Sequence, residues 1–316
     1  PLAERCAAEF GEAVSYTCPT ARVEFDGNGG NCNETARQTA LHGRVGALPE
    51  ATRVGYDFTG WYTSVSAGRM ISSNEIVSAQ TVRYYAHWAP ISYTIRFDAN
   101  GGSGTMDELS AIYDEPVKLL THAFTNGECE FLGWATSPTA ELTYCKDGES
   151  VCNLASERKT IVLYARWQYP YMVVDLSASP EETVLLARKP STGWTTAHKT
   201  TKLVLRYIRP GRFKMGGRND VTLSQGYWFS IYEVTQRQWE LVMGSKAAST
   251  GSGYAGDTQP AGCVSYDNIR GSIDGKRWPE SAGLDRLSFM ARLRAKVGLP
   301  VDLPTEAQWE YACRAG

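Results

Sequence analysis

Thiols bind metals, form disulfides and act as nucleophiles, so the cysteines of this chain are its first candidates for chemistry. There are eight: Cys6, Cys18, Cys32, Cys129, Cys145, Cys152, Cys263 and Cys313. No two form a C-x-x-C pair and the four histidines are scattered, which argues against a structural zinc site. Cys145 with Cys152, and Cys6 with Cys18, are spaced for short disulfide loops, which favours an exported protein. Buried free thiols are the alternative.

Catalytic signatures are sparse. Glu233, Glu306 and Glu310 have the residue type of a general acid/base set, but no nucleophile with a neighbouring base can be named. The sequence contains no G-x-S-x-G, no H-E-x-x-H and no P-loop, and Met215-Gly-Gly217 is too short to cradle a phosphate. We therefore predict no catalytic, cofactor-binding or metal-binding residue in this chain.

Length and composition describe an ordinary globular protein of two or three domains. The chain has 316 residues, 42% of them hydrophobic and 21% charged, and its net charge of −2 offers no general attraction to nucleic acid or to an anionic membrane. No apolar run approaches the ~18 residues of a membrane span. The sequence opens on Pro1 rather than methionine, and we interpret it as a mature or trimmed piece. The lack of a signal peptide is then no argument against export.

The first half of the sequence repeats itself. Three blocks recur in the same order, at offsets of 72, 73 and 79 residues, and the longer last offset predicts an insertion in the second copy. The matched pairs are Val23–Gly30 with Ile95–Gly102, Phe58–Trp61 with Phe131–Trp134, and Tyr85–Trp88 with Tyr164–Trp167.

Each block predicts a local structure. Val-x-Phe and Ile-x-Phe alternate with polar residues, as in a half-buried strand, and the following Asn-Gly-Gly tolerates the positive φ of a turn. Gly60 and Gly133, each directly before a tryptophan, predict a bulge or a close backbone approach. For the tryptophans we expect core packing, with a glycan-stacking surface as the alternative.

These blocks resemble the Listeria–Bacteroides repeat, the internalin-type B repeat of bacterial surface proteins, over residues 21–88 and 93–167. The resemblance implies small β-grasp-like modules that serve as a stalk or adhesive spacer, with no enzymatic residue. The three-residue linker Ala89–Ile91 is consistent with modules arranged as beads on a string, and the sequence leaves open whether the two repeats touch. Residues 1–20 match no repeat block and are interpreted as the tail of a preceding segment.

Residues 168–200 are predicted to be a linker that includes a short strand at Met172–Leu176, because they are rich in Ser, Thr, Pro and Lys. A strand is expected at Leu203–Ile208. Capping boxes at Thr235 and Thr305 predict helix starts, and Gly244 can end the first of these helices.

Between those two helices, Met290, Leu293 and Val297 have the spacing of a helix face, and Gly298 can end that helix. The same helix carries Arg292, Arg294 and Lys296. We interpret these basic residues as a solvated face.

From Thr201 to Gly316 the sequence resembles the formylglycine-generating enzymes, the sulfatase-modifying factor family. The motifs that carry the resemblance are Gly211–Gly216, Tyr232–Gln236, Val264–Tyr266 and Leu303–Ala312. It implies a compact α+β domain related to C-type lectins, in which Glu233, Glu306 and Glu310 are structural. One departure is Asp302, which occupies a place where the family usually carries arginine.

The family oxidises a protein cysteine to formylglycine with a copper-binding cysteine pair in the C-terminal part of the domain. Cys263 and Cys313 match neither position, and the chain ends before that region, so the domain is expected to be truncated. Copper and calcium are implied for a complete domain only.

We therefore expect a modular bacterial protein, extracellular or at the cell surface, with a repeat stalk and a binding domain for a protein or cell-surface ligand. It is not expected to bind nucleic acid or to span a membrane. The alternative is part of an enzyme that matures sulfatases. A third hypothesis, oxidation of a small thiol, needs iron held by a set of histidines, and the four scattered histidines of this chain offer no such set.

Overall fold

A computed structural model of the chain describes residues 18–179, 182–247, 255–272 and 275–315. The chain forms two compact units, and the first comprises Pro1–Phe124 and Leu132–Arg166, of which residues from Cys18 onward are described. The second comprises Thr125–Phe131 and Trp167–Gly316. Among the described residues, no helix is both long enough and apolar enough to cross a bilayer.

The first repeat is built from six strands around one mixed sheet, in the order β3-β1-β6-β5. In chain order, β1 to β6 are Thr20–Asp26, Asn31–Cys32, Ala36–Ala40, Ala51–Thr52, Tyr56–Tyr62 and Thr81–Pro90. The central pair β1 and β6 is parallel, with Val23 opposite Val82, while β3 and β5 add antiparallel edges. The alternation expected at Val23 and Phe25 is confirmed, because both side chains are buried.

The second repeat has the same sheet order, β8-β7-β12-β10. In chain order, β7 to β12 are Ser92–Asp98, Leu109–Ile112, Val117–Lys118, Glu130–Ala135, Ser150–Val151 and Thr160–Gln168. Its central pair is again parallel, with Ile95 opposite Ile161. The sequence duplication is therefore a duplication of topology.

An asparagine closes the turn after the first strand of each repeat. Asn28 and Asn100 have φ values of 46° and 45°, as the Asn-Gly-Gly pattern predicts. The Asn28 side-chain amide donates to the Ala86 carbonyl at 2.9 Å, and that of Asn100 donates to the Ala165 carbonyl at 3.0 Å. The turn is thereby fastened to the last strand of its own module.

Core packing is the correct interpretation of the first tryptophan in each copy. Trp61 and Trp134 are both 0% exposed, and the Trp61 indole donates to the Pro49 carbonyl at 2.9 Å. The expected bulge is also present, because the β5–β6 register shifts between Phe58 and Gly60. Gly60 has φ 137°, and a Cβ there would lie 2.9 Å from the Met70 sulfur. The glycine lets the strand bend so that the side chain of the next residue, Trp61, fills the core.

The two repeats touch, and the predicted three-residue linker Ala89–Ile91 is shortened to one residue, because Ala89 and Pro90 belong to β6. Only Ile91 lies between β6 and β7, and it is buried. Its amide donates to Gly55 O at 3.0 Å, and its carbonyl accepts from Tyr113 N at 2.9 Å. Tyr56 Oη also donates to Asp114 at 2.5 Å. A one-residue connection that is hydrogen-bonded on both sides joins the modules directly.

The second unit contains a four-stranded antiparallel sheet in the order β14-β13-β15-β18, beside the hairpin β16-β17. In chain order, β13 to β18 are Tyr171–Asp175, Val184–Ala187, Lys202–Ile208, Gly211–Met215, Asn219–Leu223 and Tyr227–Ser230. Residues 171–175 and 184–187 therefore belong to this sheet, which corrects the predicted linker at 168–200. We call residues 167–316 the C-terminal domain.

A 3₁₀ turn at Thr196–Lys199 lies between β14 and β15, and four α-helices follow the sheet in the described part of the C-terminal domain. In chain order, α1 to α4 are Gln236–Met243, Tyr266–Ile269, Phe289–Val297 and Glu306–Ala315. The predicted capping boxes are confirmed, because Gln238 N donates to Thr235 Oγ1 at 3.3 Å and Gln308 N donates to Thr305 Oγ1 at 3.2 Å. Gly244 and Gly298 end α1 and α3 in the left-handed conformation.

We predict that Trp61→Ala lowers the stability of the first repeat by about 3–5 kcal/mol, because it empties a fully enclosed site and removes an indole hydrogen bond. Hydrogen exchange of the β6 amides in the full chain measures this loss locally. Val54→Ala is the matched control, because Val54 is a large exposed residue of the same repeat. Equal exchange in the two variants would contradict the core role of Trp61.

Candidate functional site

An apolar cleft of about 470 Å³ opens on the sheet of the C-terminal domain. Met172 and Val174 from β13, with Leu203 and Leu205 from β15, form its sheet side. Residues two apart on a strand point to the same face, so the local alternation of these two strands creates one continuous apolar surface.

The opposite wall is the apolar face of α3. Phe289, Leu293 and Val297 lie at helical spacing and are buried. Trp239 of α1 stacks on Phe289 with ring centroids 4.9 Å apart and planes 7° from parallel, which supports this wall from behind. The helix predicted from Met290, Leu293 and Val297 is therefore confirmed, and all three side chains line the cleft.

The polar groups of the cleft are few. Tyr227 from β18 donates its hydroxyl to Gln308 O at 2.5 Å, and burial raises the pKa of this phenol to about 12. Trp278 lines the cleft, and its indole nitrogen is buried with no acceptor among the described residues. Both groups are neutral near neutral pH. The cleft therefore offers apolar area with few orienting polar groups, as ligand pockets commonly do.

A cluster of ion pairs centred on Asp302 lies at the rim of the cleft. Arg270 Nε lies 2.7 Å from Asp302 Oδ1, and Arg294 Nη2 lies 2.8 Å from Asp302 Oδ2. Arg270 is 0% exposed, so its charge requires a partner inside the protein. Hydrogen bonding to Asp302 raises the pKa of Arg270 further above its usual range.

Additional contacts fix the geometry of this cluster. Arg294 Nε donates to the Val301 carbonyl at 2.6 Å, and Arg270 Nη2 donates to the Ser281 carbonyl at 2.8 Å. The Leu303 amide donates to Asp302 Oδ1 at 2.8 Å. The cluster thereby joins α3, the end of α2 and residues 299–304, and of these α3 and residues 299–304 line the cleft.

One expectation about a charged residue changes here, and one charged residue of the cluster was not foreseen. Arg294 was expected on a solvated face, but it turns inward to Asp302, because a buried carboxylate in reach provides a stronger partner than water. The sequence did not identify Arg270, which lies 32 residues from Asp302. The one available signal was the aspartate itself, at a position where the resembling family carries arginine.

No hydrogen bond or ion pair among the described residues joins the three glutamates Glu233, Glu306 and Glu310 to one another. Glu233 and Glu306 are exposed, whereas Glu310 accepts a hydrogen bond from the Gly216 amide at 2.9 Å and from Arg314 at 2.5 Å. Glu310 therefore fastens α4 to the turn that follows β16. The interpretation of Glu310 as structural agrees with these contacts.

The seven described cysteines are all free thiols. This corrects the predicted Cys145–Cys152 bridge, since Cys145 is buried and Cys152 is exposed. Burial raises the pKa of the Cys145 thiol to about 11, which favours the neutral form. The other predicted bridge involves Cys6, which lies outside the described residues.

The thiols of the C-terminal domain do not fit a copper centre. Cys263 lies in the exposed loop before α2 and Cys313 is exposed on α4, and no described contact joins them. Across the described residues, no three His, Cys, Asp or Glu side chains form a group that could hold a metal ion. Copper(I) needs converging soft ligands, so no oxidation step can be derived from the residues described.

We predict that Asp302→Asn destabilises the C-terminal domain by about 3–5 kcal/mol, because it leaves the buried Arg270 charge without its counter-ion. Faster hydrogen exchange of the α3 amides in the full chain would report the loss. Asp220→Asn is the matched control, since the Lys214–Asp220 pair of 3.1 Å is solvent-exposed and should contribute nothing measurable. If the two variants exchange alike, the cluster does not support the cleft.

Comparison with protein-family models gives two kinds of match. The Listeria–Bacteroides repeat domain matches residues 22–87 and 93–166. The sulfatase-modifying factor enzyme 1-like domain matches residues 194–316. A search of curated proteins gives no match.

Proposed function

Because the chain consists of two Listeria–Bacteroides repeats followed by a sulfatase-modifying factor domain, we propose that it is a bacterial surface or secreted protein whose repeats carry a non-catalytic binding domain. The cleft of the C-terminal domain is the single observation that carries this proposal. Its lining is almost entirely apolar, and its one charged member, Asp302, is already paired with Arg270 and Arg294. Such a site suits an apolar segment of a protein partner better than a reacting substrate.

The repeats support the proposed role of a stalk. Each repeat has its own enclosed core around Trp61 or Trp134, and the two modules are joined through the hydrogen bonds of Ile91. Direct joining keeps successive modules from hinging freely, which is useful in a spacer. The surface location belongs to the proposal and rests on the family of the repeats.

The finer fold assignments also belong to this proposal. The parallel central strand pair of each repeat supports a β-grasp-like module. The small antiparallel sheet with irregular loops and capped helices supports a domain related to C-type lectins.

The alternative function is a part in oxidising a protein cysteine to formylglycine, with copper and calcium as the implied ions of a complete domain. The match of residues 194–316 to the sulfatase-modifying factor model favours it. The positions of Cys263 and Cys313 weigh against catalysis by the residues described.

We predict that the full chain, supplied with copper(I) and oxygen, does not convert the cysteine of a sulfatase-type peptide to formylglycine. Mass spectrometry of the peptide measures this outcome directly. Conversion by the wild-type chain that is lost in the Cys263→Ser/Cys313→Ser variant would establish the alternative. Conversion that persists in this variant would also overturn the non-catalytic proposal and would place the chemistry at other residues.

A further inference from the structure

The second compact unit contains another cavity, of about 570 Å³, at the end of the sheet where β13 begins and β15 ends. We call it the polar cavity. Among the described residues, none lines both this cavity and the apolar cleft. Of its eleven lining residues, eight carry a polar side-chain group, and these are two glutamates, two arginines, three tyrosines and one glutamine. The chemistry of the polar cavity is therefore the opposite of that of the cleft.

The main-chain contact beside the polar cavity has a counterpart between the two repeats. In the second unit, the Pro170 carbonyl accepts a hydrogen bond from Tyr207 N at 2.9 Å, and both residues line the cavity. In the first unit, the Ile91 carbonyl accepts from Tyr113 N, also at 2.9 Å. There the Tyr113 ring packs directly on Gly55, where an added Cβ would lie 2.3 Å from ring carbons. The counterpart is thus closed by a tyrosine ring on a glycine.

The residue at position 128 distinguishes the two contacts. Glu128 lies 73 residues after that glycine, which is the offset of the second repeated block, and it lines the polar cavity. The neighbouring ion pair is kept, because Glu130 pairs with Arg209 at 3.0 Å. Its counterpart Asp57, again 73 residues earlier, pairs with Arg158. A carboxylate therefore stands where the closed contact has no side chain, and a cavity takes the place of a packed ring.

The charges of the polar cavity cancel, but two of them are unpaired. Glu130 and Arg209 neutralise each other. Glu128 and Arg206 are exposed, and their side chains form no hydrogen bond or ion pair with any residue in the described ranges. Arg206 lies directly opposite Tyr171 in the β13–β15 ladder, so these two side chains lie on one face of the sheet. The cavity therefore offers an available acceptor and an available donor without a net charge.

Three tyrosines add ring surface and hydroxyl groups to the polar cavity. The hydroxyls of Tyr171, Tyr207 and Tyr311 form no hydrogen bond within the part of the chain that the structure describes. Gly211 leaves room for one of these rings, because a Cβ there would lie 2.0 Å from the Tyr311 hydroxyl oxygen. A tyrosine presents an apolar face together with a group that both donates and accepts.

This combination matches a neutral ligand that is rich in hydroxyl groups. A sugar hydroxyl both donates and accepts, so it can bond to a carboxylate and to a guanidinium, and hydrogen bonds to charged groups are the stronger ones. The C–H faces of sugar rings pack on aromatic rings. An anion would meet the two carboxylates, and a cation would meet the two guanidinium groups. The volume lies within the usual range of ligand sites.

We propose that the polar cavity binds a neutral oligosaccharide, with Glu128 as an acceptor, Arg206 as a donor and Tyr171 as a ring surface. The site goes beyond the function proposed for the apolar cleft, because the two sites have no lining residue in common.

NMR titration of the full, isotope-labelled chain tests this site. The probes are five neutral trisaccharides: maltotriose, cellotriose, xylotriose, mannotriose and triacetylchitotriose. At least one should cause saturable shifts of the amides of residues 128–130, 168–171 and 206–209, and leave the α3 amides unchanged. Glu128→Gln and Arg206→Gln should each raise its dissociation constant by roughly tenfold, because each removes a charged hydrogen-bonding group.

Two matched variants serve as controls. Glu108→Gln and Arg212→Gln change exposed residues that do not line the polar cavity, and they should leave the dissociation constant unchanged. The proposal is overturned if none of the five trisaccharides binds at 20 mM. Binding that neither Glu128→Gln nor Arg206→Gln weakens would also overturn it. Tighter binding of the zwitterion glycylglycine than of any trisaccharide, at the same amides, would contradict the neutral ligand class.

Discussion

The C-terminal domain depends on the pairing of one buried carboxylate. Arg270 is fully enclosed, and the cost of burying an isolated guanidinium would exceed the total stability of most domains. Asp302 removes this cost while it also holds Arg294, so one side chain joins a helix end, a second helix and a loop. Two of these segments, the second helix and the loop, line the apolar cleft, and the cluster therefore holds that side of the cleft in place.

The repeats are constrained instead by their small size. A module of about 70 residues has little interior, and a single enclosed indole supplies a large part of its core. The glycine bulge before Trp61 turns that indole inward, and the Asn28 amide holds the first turn against the last strand. The positive φ of the glycine, the enclosed indole and the asparagine hydrogen bond recur at Gly133, Trp134 and Asn100, which explains why these residues are among those that the two copies share.

Local sequence patterns predicted the parts of the fold that depend on interactions between residues close in sequence. The capping boxes at Thr235 and Thr305, the left-handed Gly298 and the alternating strand at Val23 follow from interactions within a few residues. Strand β14 was missed because Val184–Ala187 is a short run among loop-forming residues, and it becomes a strand only by pairing with β13. The Arg270–Asp302 pair and the Ile91 junction were missed for the same reason, since each joins residues whose proximity only the folded chain establishes.

The proposed function rests on a formed and accessible apolar cleft, which methyl NMR can test directly. The full chain, labelled at its methionine methyl groups, would be titrated with the apolar probe anilinonaphthalene sulfonate. Met172 and Met290 line the cleft, whereas Met70 is exposed on the first repeat. We expect saturable shifts of the Met172 and Met290 signals with one dissociation constant, and no shift of Met70. Absence of a shift at Met172 and Met290, or a shift of Met70 equal to theirs, would contradict a specific binding cleft.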